Sequence, residues 1–290
     1  MKRVYVIFIG AAVILLTVGL SCYFFDTKDT VHAKKPVQTP LADIDDGLWN
    51  GPILFHKGNG EPVYLILVEK ALQKLHLYRY DGRYNLIKSY TCSTGEHQGK
   101  KHQEKDRKTP EGIYFNIKAY RDSKITLFGD RAFGLNYPDP FDNLERNRGS
   151  GIFIHGSNRA VKPFSTNGCV VLSNRDLADL DKRINVKKVP VIIGERLPYR
   201  FETAGRDMSK LIPLFKKVMI PERYASLKPE FRNITVLGYQ ERIVAMGVVR
   251  INDAKDIIGF SRLYLARPDK KFLVLLKREW HEERLVKKPG

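Results

Sequence analysis

Between residues 51 and 198 the chain is a succession of short apolar runs cut by glycine, proline and Asp-Gly, and that punctuation favours strands over helices. Val63-Tyr64-Leu65-Ile66-Leu67-Val68 is apolar and rich in β-formers; Lys74-Leu75-His76-Leu77-Tyr78-Arg79 alternates. Asp81-Gly82 marks a hairpin turn, and the run from Tyr84 to Tyr90 returns, a meander expected to bury one face. Gly112 to Ile117, Phe133 to Pro138, Ile152 to His155, Cys169 to Leu172 and Val189 to Gly194 continue the pattern, for about eight strands in all. One helix is firm: Ser173-Asn174-Arg175-Asp176 has the Ser-x-x-acid form of a helix start, and Leu177, Leu180 and Ile184 share a face. Residues 93–110 are dense in charge and glycine and read as a long exposed loop, and 139–150 as a polar segment.

The pattern changes after residue 198. Residues 207–218 have helical spacing, with Met208, Leu211, Leu214 and Phe215 on one face, and four apolar segments follow up to Trp280. Residues 199–290 therefore read as a small α+β unit, a helix followed by an antiparallel sheet. At the other end, no charge interrupts Val4 to Phe25, long enough for the roughly 20 residues that cross a bilayer core. Residues 1–28 are read as a membrane anchor, with Val31-His32-Ala33 as the cleavage site if the segment is instead a signal peptide. Residues 29–50, polar and proline-punctuated, read as a tether.

The net charge of +18 first suggests nucleic acid, or else an anionic membrane or cell-wall polymer. Lys2 and Arg3 precede the apolar run, so the positive-inside rule turns the rest of the chain outward: a single-pass protein of the inner membrane facing the periplasm, or a secreted one after cleavage. That placement argues against nucleic acid and for an envelope polymer. Cys22 falls in the apolar run. Cys92 is either a small buried hydrophobe or the partner of Cys169 in a disulfide. His97 and His102 lack further ligand-type neighbours, so no metal and no cofactor is expected.

Two reactive residues stand at strand ends. Ile152-Phe153-Ile154-His155-Gly156 ends on a histidine, and Ser165-Thr166-Asn167-Gly168-Cys169 opens a strand on a cysteine. A thiol attacks a carbonyl as thiolate, an imidazole can take and return its proton, and the oxyanion that forms needs preorganised N–H donors. Gly168 permits the dihedrals of a tight turn that presents such donors, so Cys169 and His155 read as nucleophile and base.

His-Gly followed by Ser/Thr-x-Gly-Cys resembles the active-site signature of the L,D-transpeptidases, the YkuD-type catalytic domain. Lys108-Thr109-Pro110-Glu111-Gly112-Ile113-Tyr114 resembles that family's "TPxGxY" strand, Ser93-Thr94-Gly95 its upstream "STG", and Phe133 to Pro138 the segment leading into the site. The resemblance covers roughly residues 60–195. It implies a mostly β, sandwich-like catalytic domain with Cys169 as nucleophile, His155 as base, the Gly156 carbonyl as the histidine's partner, and N–H groups of Gly168 and Cys169 as oxyanion donors. It also implies peptidoglycan peptide stems as substrate, attacked at the L-centre carbonyl of diaminopimelate with release of the following D-residue and an amine or water as acceptor, and Thr166, Asn167, Tyr137 and Lys108 at the substrate; the alternative is a non-catalytic cell-wall binding protein. Lys100, Lys101, Arg107 and Lys108 either attract the stem's carboxylates or form a solvated loop. Many members carry His before the Gly-Cys and Arg two residues after the Cys, where this chain has Asn167 and Val171. "NGCVVLSN" is similar to the subgroup of peptidoglycan L,D-carboxypeptidases and lipoprotein-releasing murein hydrolases. The C-terminal unit is similar to a nuclear-transport-factor-two-like fold, serving either substrate positioning or packing.

Overall fold

A computed structural model describes residues 31–32, 38–40, 52–58, 62–121, 128–184, 189–197, 205–251, 257–267 and 272–284. Strands β1 (Val31–His32), β2 (Gln38–Pro40) and β3 (Ile53–Lys57) come first, then β4 (Val63–Glu69), β5 (Lys74–Tyr80), β6 (Tyr84–Thr91), β7 (Gly112–Arg121) and β8 (Arg131–Leu135). Helix α1 (Pro140–Leu144), β9 (Phe153–His155), β10 (Val170–Val171), α2 (Asn174–Arg183) and β11 (Pro190–Gly194) complete the first half. Helix α3 (Gly205–Met219), a 3-10 turn over Glu222–Leu227, β12 (Glu230–Tyr239), β13 (Arg242–Ile251), β14 (Ile257–Ala266) and β15 (Phe272–Arg284) follow.

These strands make two sheets. One runs β10-β9-β8-β7-β11-β4-β5-β6; the other runs β1-β15-β14-β13-β12-β3, with β2 also on β15. Their facing surfaces share a core of Leu65, Leu67, Ile113, Phe115 and Ile192 from the first sheet and Leu54, Leu237, Val244 and Tyr264 from the second. Alternation sends the next residue of each strand the other way. Ile66, Val68, Val191 and Ile193 thus meet α2 through Leu177 and Leu180 in a separate core. On the far side of the second sheet, Val236, Ile243 and Leu263 pack under Leu211, Phe215 and Met219 of α3.

This layering corrects the one-faced meander. Residues 65–68 are all buried because β4 is covered on both sides, which is why its sequence is a continuous apolar run. The edge strand β6 keeps an open face, with Leu86 and Ile87 exposed. The polar segment 139–150 contains α1, which Asp139 caps by accepting from the N–H groups of Phe141 and Asp142.

Residues 205–251, 257–267 and 272–284 supply α3 and β12 to β15, but their sheet recruits earlier residues. β3 pairs with β12, Ile53 opposite Gly238, and β1 and β2 of the segment read as a tether pair with β15. The apolar run 4–25 lies outside the described residues, among which no helix is long and apolar enough to cross a membrane.

Candidate active site

The register of two very short strands sets the geometry. β9 and β10 run parallel, with Ile154 opposite Val170 and His155 opposite Val171, and Leu172 N–H donates to His155 O at 3.0 Å. Cys169 directly precedes Val170, which puts it abreast of Phe153. Side chains alternate along a strand, so Cys169 and His155 fall on one side of adjacent strands. The edge of the Phe128 ring covers the imidazole at 4.8 Å between centroids.

His155 Nδ1 lies 2.7 Å from Gly156 O. A carbonyl only accepts, so Nδ1 carries the proton and Nε2 is left as a free base. Burial lowers the His155 pKa from its ordinary 6.5, against the opposing pull of the Gly156 carbonyl. Burial raises the Cys169 thiol above its ordinary 9.0, against weaker lowering by a hydrogen bond to the Phe153 backbone and by the charge of Lys101. Both shifts favour the uncharged forms, so the resting pair is thiol and neutral imidazole. The thiol itself donates to Gly151 O at 3.5 Å.

The turn before Cys169 is braced from segments distant in sequence. Gly168 has φ +126°, and a Cβ there would meet Lys108 O at 2.7 Å, so no other residue fits without displacing that backbone. Thr109, fully buried, donates through Oγ1 to Gly168 O at 3.0 Å and accepts from Gly95 N–H at 2.9 Å. Ser93 bridges to Val171 and Gly95 to Thr166. Gln73 Oε1 accepts from the N–H groups of Thr94 and Phe164 at 3.0 and 2.9 Å. The loop expected over residues 93–110 is exposed at 96–98, 102–105 and 107, but its ends are not: Ser93, Thr94 and Thr109 are buried behind Cys169.

A cleft of about 430 Å³ opens at Cys169, between Asn167, Gly151 and Ile152 on one side and Lys101, Glu104, Lys105 and Arg107 on the other. Asp106 organises that second wall, accepting from Lys101 Nζ at 2.6 Å and from the N–H groups of His102, Gln103 and Lys108 at 2.9 to 3.1 Å. Burial alone would raise its carboxyl; these donors outweigh it and hold the pKa at about 2.

Residues 63–193 match the family model of the L,D-transpeptidase catalytic domain, YkuD. They form a YkuD-type domain. The fold also resembles the structure of Bdellovibrio bacteriovorus Bd1075, with TM-score 0.64 and 21% identity over 87% of this chain and 100% of that one. It likewise resembles the helical cell shape determining protein Pgp2 from Campylobacter jejuni, with TM-score 0.60 and 21% identity over 82% of this chain and 97% of that one. No curated protein sequence matches it.

Within the YkuD domain the expected site residues fare unequally. His155, Gly156, Gly168 and Cys169 come together, and Asn167 lines the cleft beside them. The Gly168 N–H, expected as an oxyanion donor, instead donates to Thr166 Oγ1 at 3.1 Å. Thr166 also donates to Cys169 O at 2.8 Å, so its hydroxyl serves the turn rather than a substrate. Tyr137 is 5% exposed, packs edge-on against Tyr114 and donates to Arg148 O at 3.1 Å; it belongs to the core, not to a substrate contact. Lys108 meets the turn through its carbonyl, not its ammonium. Of the four basic loop residues, Lys101 and Arg107 face the cleft, whereas Lys100 pairs with Glu145.

Cys92 and Cys169 are both free thiols, which removes the disulfide alternative, and Cys92 lies in the core with its pKa pushed up to about 12 by burial. Val171, where many family members carry arginine, is buried. His97 and His102 bond to Asp106 O and Asn147 Oδ1, and the described residues hold no cluster able to ligate a metal. Sequence reasoning missed Phe128 and Gln73: one lay in a stretch without periodicity, the other in a turn whose role depends on two distant segments.

Proposed function

We propose that this protein is a cysteine acyltransferase acting on peptidoglycan peptide stems. The observation that carries the reading is the His155 tautomer: the Gly156 carbonyl leaves Nε2 as a base on the same side of adjacent strands as the Cys169 thiol. Membership of residues 63–193 in the YkuD family supports the substrate class.

In the reaction, Nε2 takes the thiol proton as Sγ bonds to the L-centre carbonyl carbon of diaminopimelate, and the carbonyl becomes an oxyanion beside the Cys169 N–H. Collapse of the oxyanion breaks the C–N bond, and Nε2–H returns its proton to the departing amine of the D-residue. An acceptor amine then attacks the thioester, giving its proton to Nε2, and the thiol re-forms as the new amide closes. Water in place of the amine gives a shortened stem, the carboxypeptidase outcome. The apolar run 4–25 would hold the domain outside the inner membrane, where its substrate lies.

The test is mass spectrometry of tetrapeptide muropeptides incubated with the full chain. An amine-linked dimer is expected, or a shortened stem if water is the acceptor, and neither with Cys169→Ala. Undiminished turnover by Cys169→Ala would overturn the reading. Protease digestion of intact spheroplasts checks the outward orientation: residues 31–290 should be degraded, and full protection rejects it.

A further inference from the structure

The YkuD domain and the second sheet meet at an ion cluster that no step of the reaction uses. Arg242, at the first position of β13, is 3% exposed. Its guanidinium donates to Glu111 O at 3.1 Å and to Glu145 Oε1 at 2.6 Å, lies 3.6 Å from Asp142 Oδ1, and sits over the Phe141 ring at 5.4 Å. Gly112, with φ +153°, admits this approach: a Cβ there would lie 2.3 Å from Arg242 Nη1.

The contacts continue from Glu145 to the cleft. Glu145 Oε2 accepts from Lys100 Nζ, and from Asn147 Nδ2 at 3.0 Å. Asn147 Oδ1 accepts from His102 Nδ1 and the Arg148 N–H donates to His102 O, each at 2.9 Å. Lys100 and His102 flank Lys101, whose side chain is 3% exposed and whose ammonium is fixed on Asp106 in the cleft wall. The residues on either side of the wall's buried cation are therefore both tied to groups that Arg242 anchors. A guanidinium withdrawn from water interacts strongly with its carboxylates, so the anchor is stiff.

We propose that Arg242 and Glu145 form a strut by which the second sheet sets the basic wall of the cleft, making Arg242 a positioning residue for an anionic substrate. The inference rests on the proposed function for its substrate and on the contacts alone for the strut. In the full chain, Arg242→Met is expected to raise KM for a tetrapeptide muropeptide about fivefold or more while kcat changes less than about twofold, the mark of lost uniform binding. Arg242→Lys should recover part of that loss. Glu145→Gln, at a side chain 39% exposed, keeps the test open if Arg242→Met fails to fold, and should raise KM about threefold.

A second readout needs no peptidoglycan: the rate of Cys169 alkylation by anionic iodoacetate relative to neutral iodoacetamide, read at the Cys169 peptide by mass spectrometry. A displaced basic wall should lower that ratio about twofold or more in Arg242→Met and Glu145→Gln. An unchanged ratio in folded variants overturns the strut, as does an unchanged KM. A wild-type chain that turns over no muropeptide but shows the altered ratio in its variants retires the substrate and keeps the strut.

Discussion

The two sheets show opposite uses of the same backbone. The second is a run of antiparallel hairpins whose strands β12, β13, β14 and β15 span 10, 10, 10 and 13 residues, with a helix on its outer face. The first is mixed: β11 lies parallel to β4 and antiparallel to β7, and the sheet ends in strands of three and two residues. The reactive residues stand at that failing edge. Long ladders satisfy their own backbone groups and leave nothing to aim at a substrate, whereas a strand that stops early frees N–H groups and side chains. Damage to the first sheet's edge should therefore abolish chemistry and spare folding, and damage to the second should do the reverse.

The sharpest form of that contrast is Cys169→Ala. It should lower turnover by about 10⁴-fold or more while moving the melting temperature by no more than about 2 °C, because a half-buried thiol is a small packing loss. Next comes its mirror image, Phe215→Ala, which empties a fully buried site under α3. It should destabilise by about 3–5 kcal/mol in urea titration, with kcat per folded molecule retained. Thr109→Val lies between the two regimes: it leaves Gly168 O and Gly95 N–H without their buried partner, for about 1–3 kcal/mol, and should lower kcat about tenfold by loosening the nucleophile's turn. A kcat unchanged in a folded Thr109→Val protein would show that the turn holds without this brace.

The smallest effect is a shift on the pH axis. The base works unprotonated, so kcat/KM falls as pH falls through the His155 pKa. Burial lowers that pKa, placing the acid limb below pH 6.5. Phe128→Ala should admit water to the ring and move the limb upward; a limb that moves down, or none at all, speaks against desolvation by Phe128 as its cause.

Local signals in the sequence were reliable where the structure is local. The histidine and cysteine were legible because a strand run, a glycine and a reactive residue together report a register, and Ser173 capped α2 as its spacing suggested. Contacts between distant segments were not. The bond from Thr109 to Gly168 spans 59 positions, and nothing in either segment names the other. β3 was not read as a strand at all, and its partner lies on β12, far along the chain. Tyr137 stood near a suggestive motif, yet the chain turns it inward against Tyr114. Asp139-Pro140 did carry a helix-start signal, lost because the helix that follows is only five residues long.

Parallel strands have one more consequence here. His155 and Cys169 are aligned by the β9–β10 ladder, and the end of the segment between them is pinned by Phe164 N–H on Gln73 and by the Thr166 bridge. Residues 158–160 and 162–163 are exposed; Asn158 Oδ1 accepts from Asn174 Nδ2 at 2.7 Å and Lys162 O from Ser165 Oγ at 2.8 Å, outside the β9–β10 ladder itself. The architecture thus separates the aligning β9–β10 ladder from an exposed connector with room for insertion. A graft placed there would be carried on the rim of the sheet edge that holds Cys169 and His155.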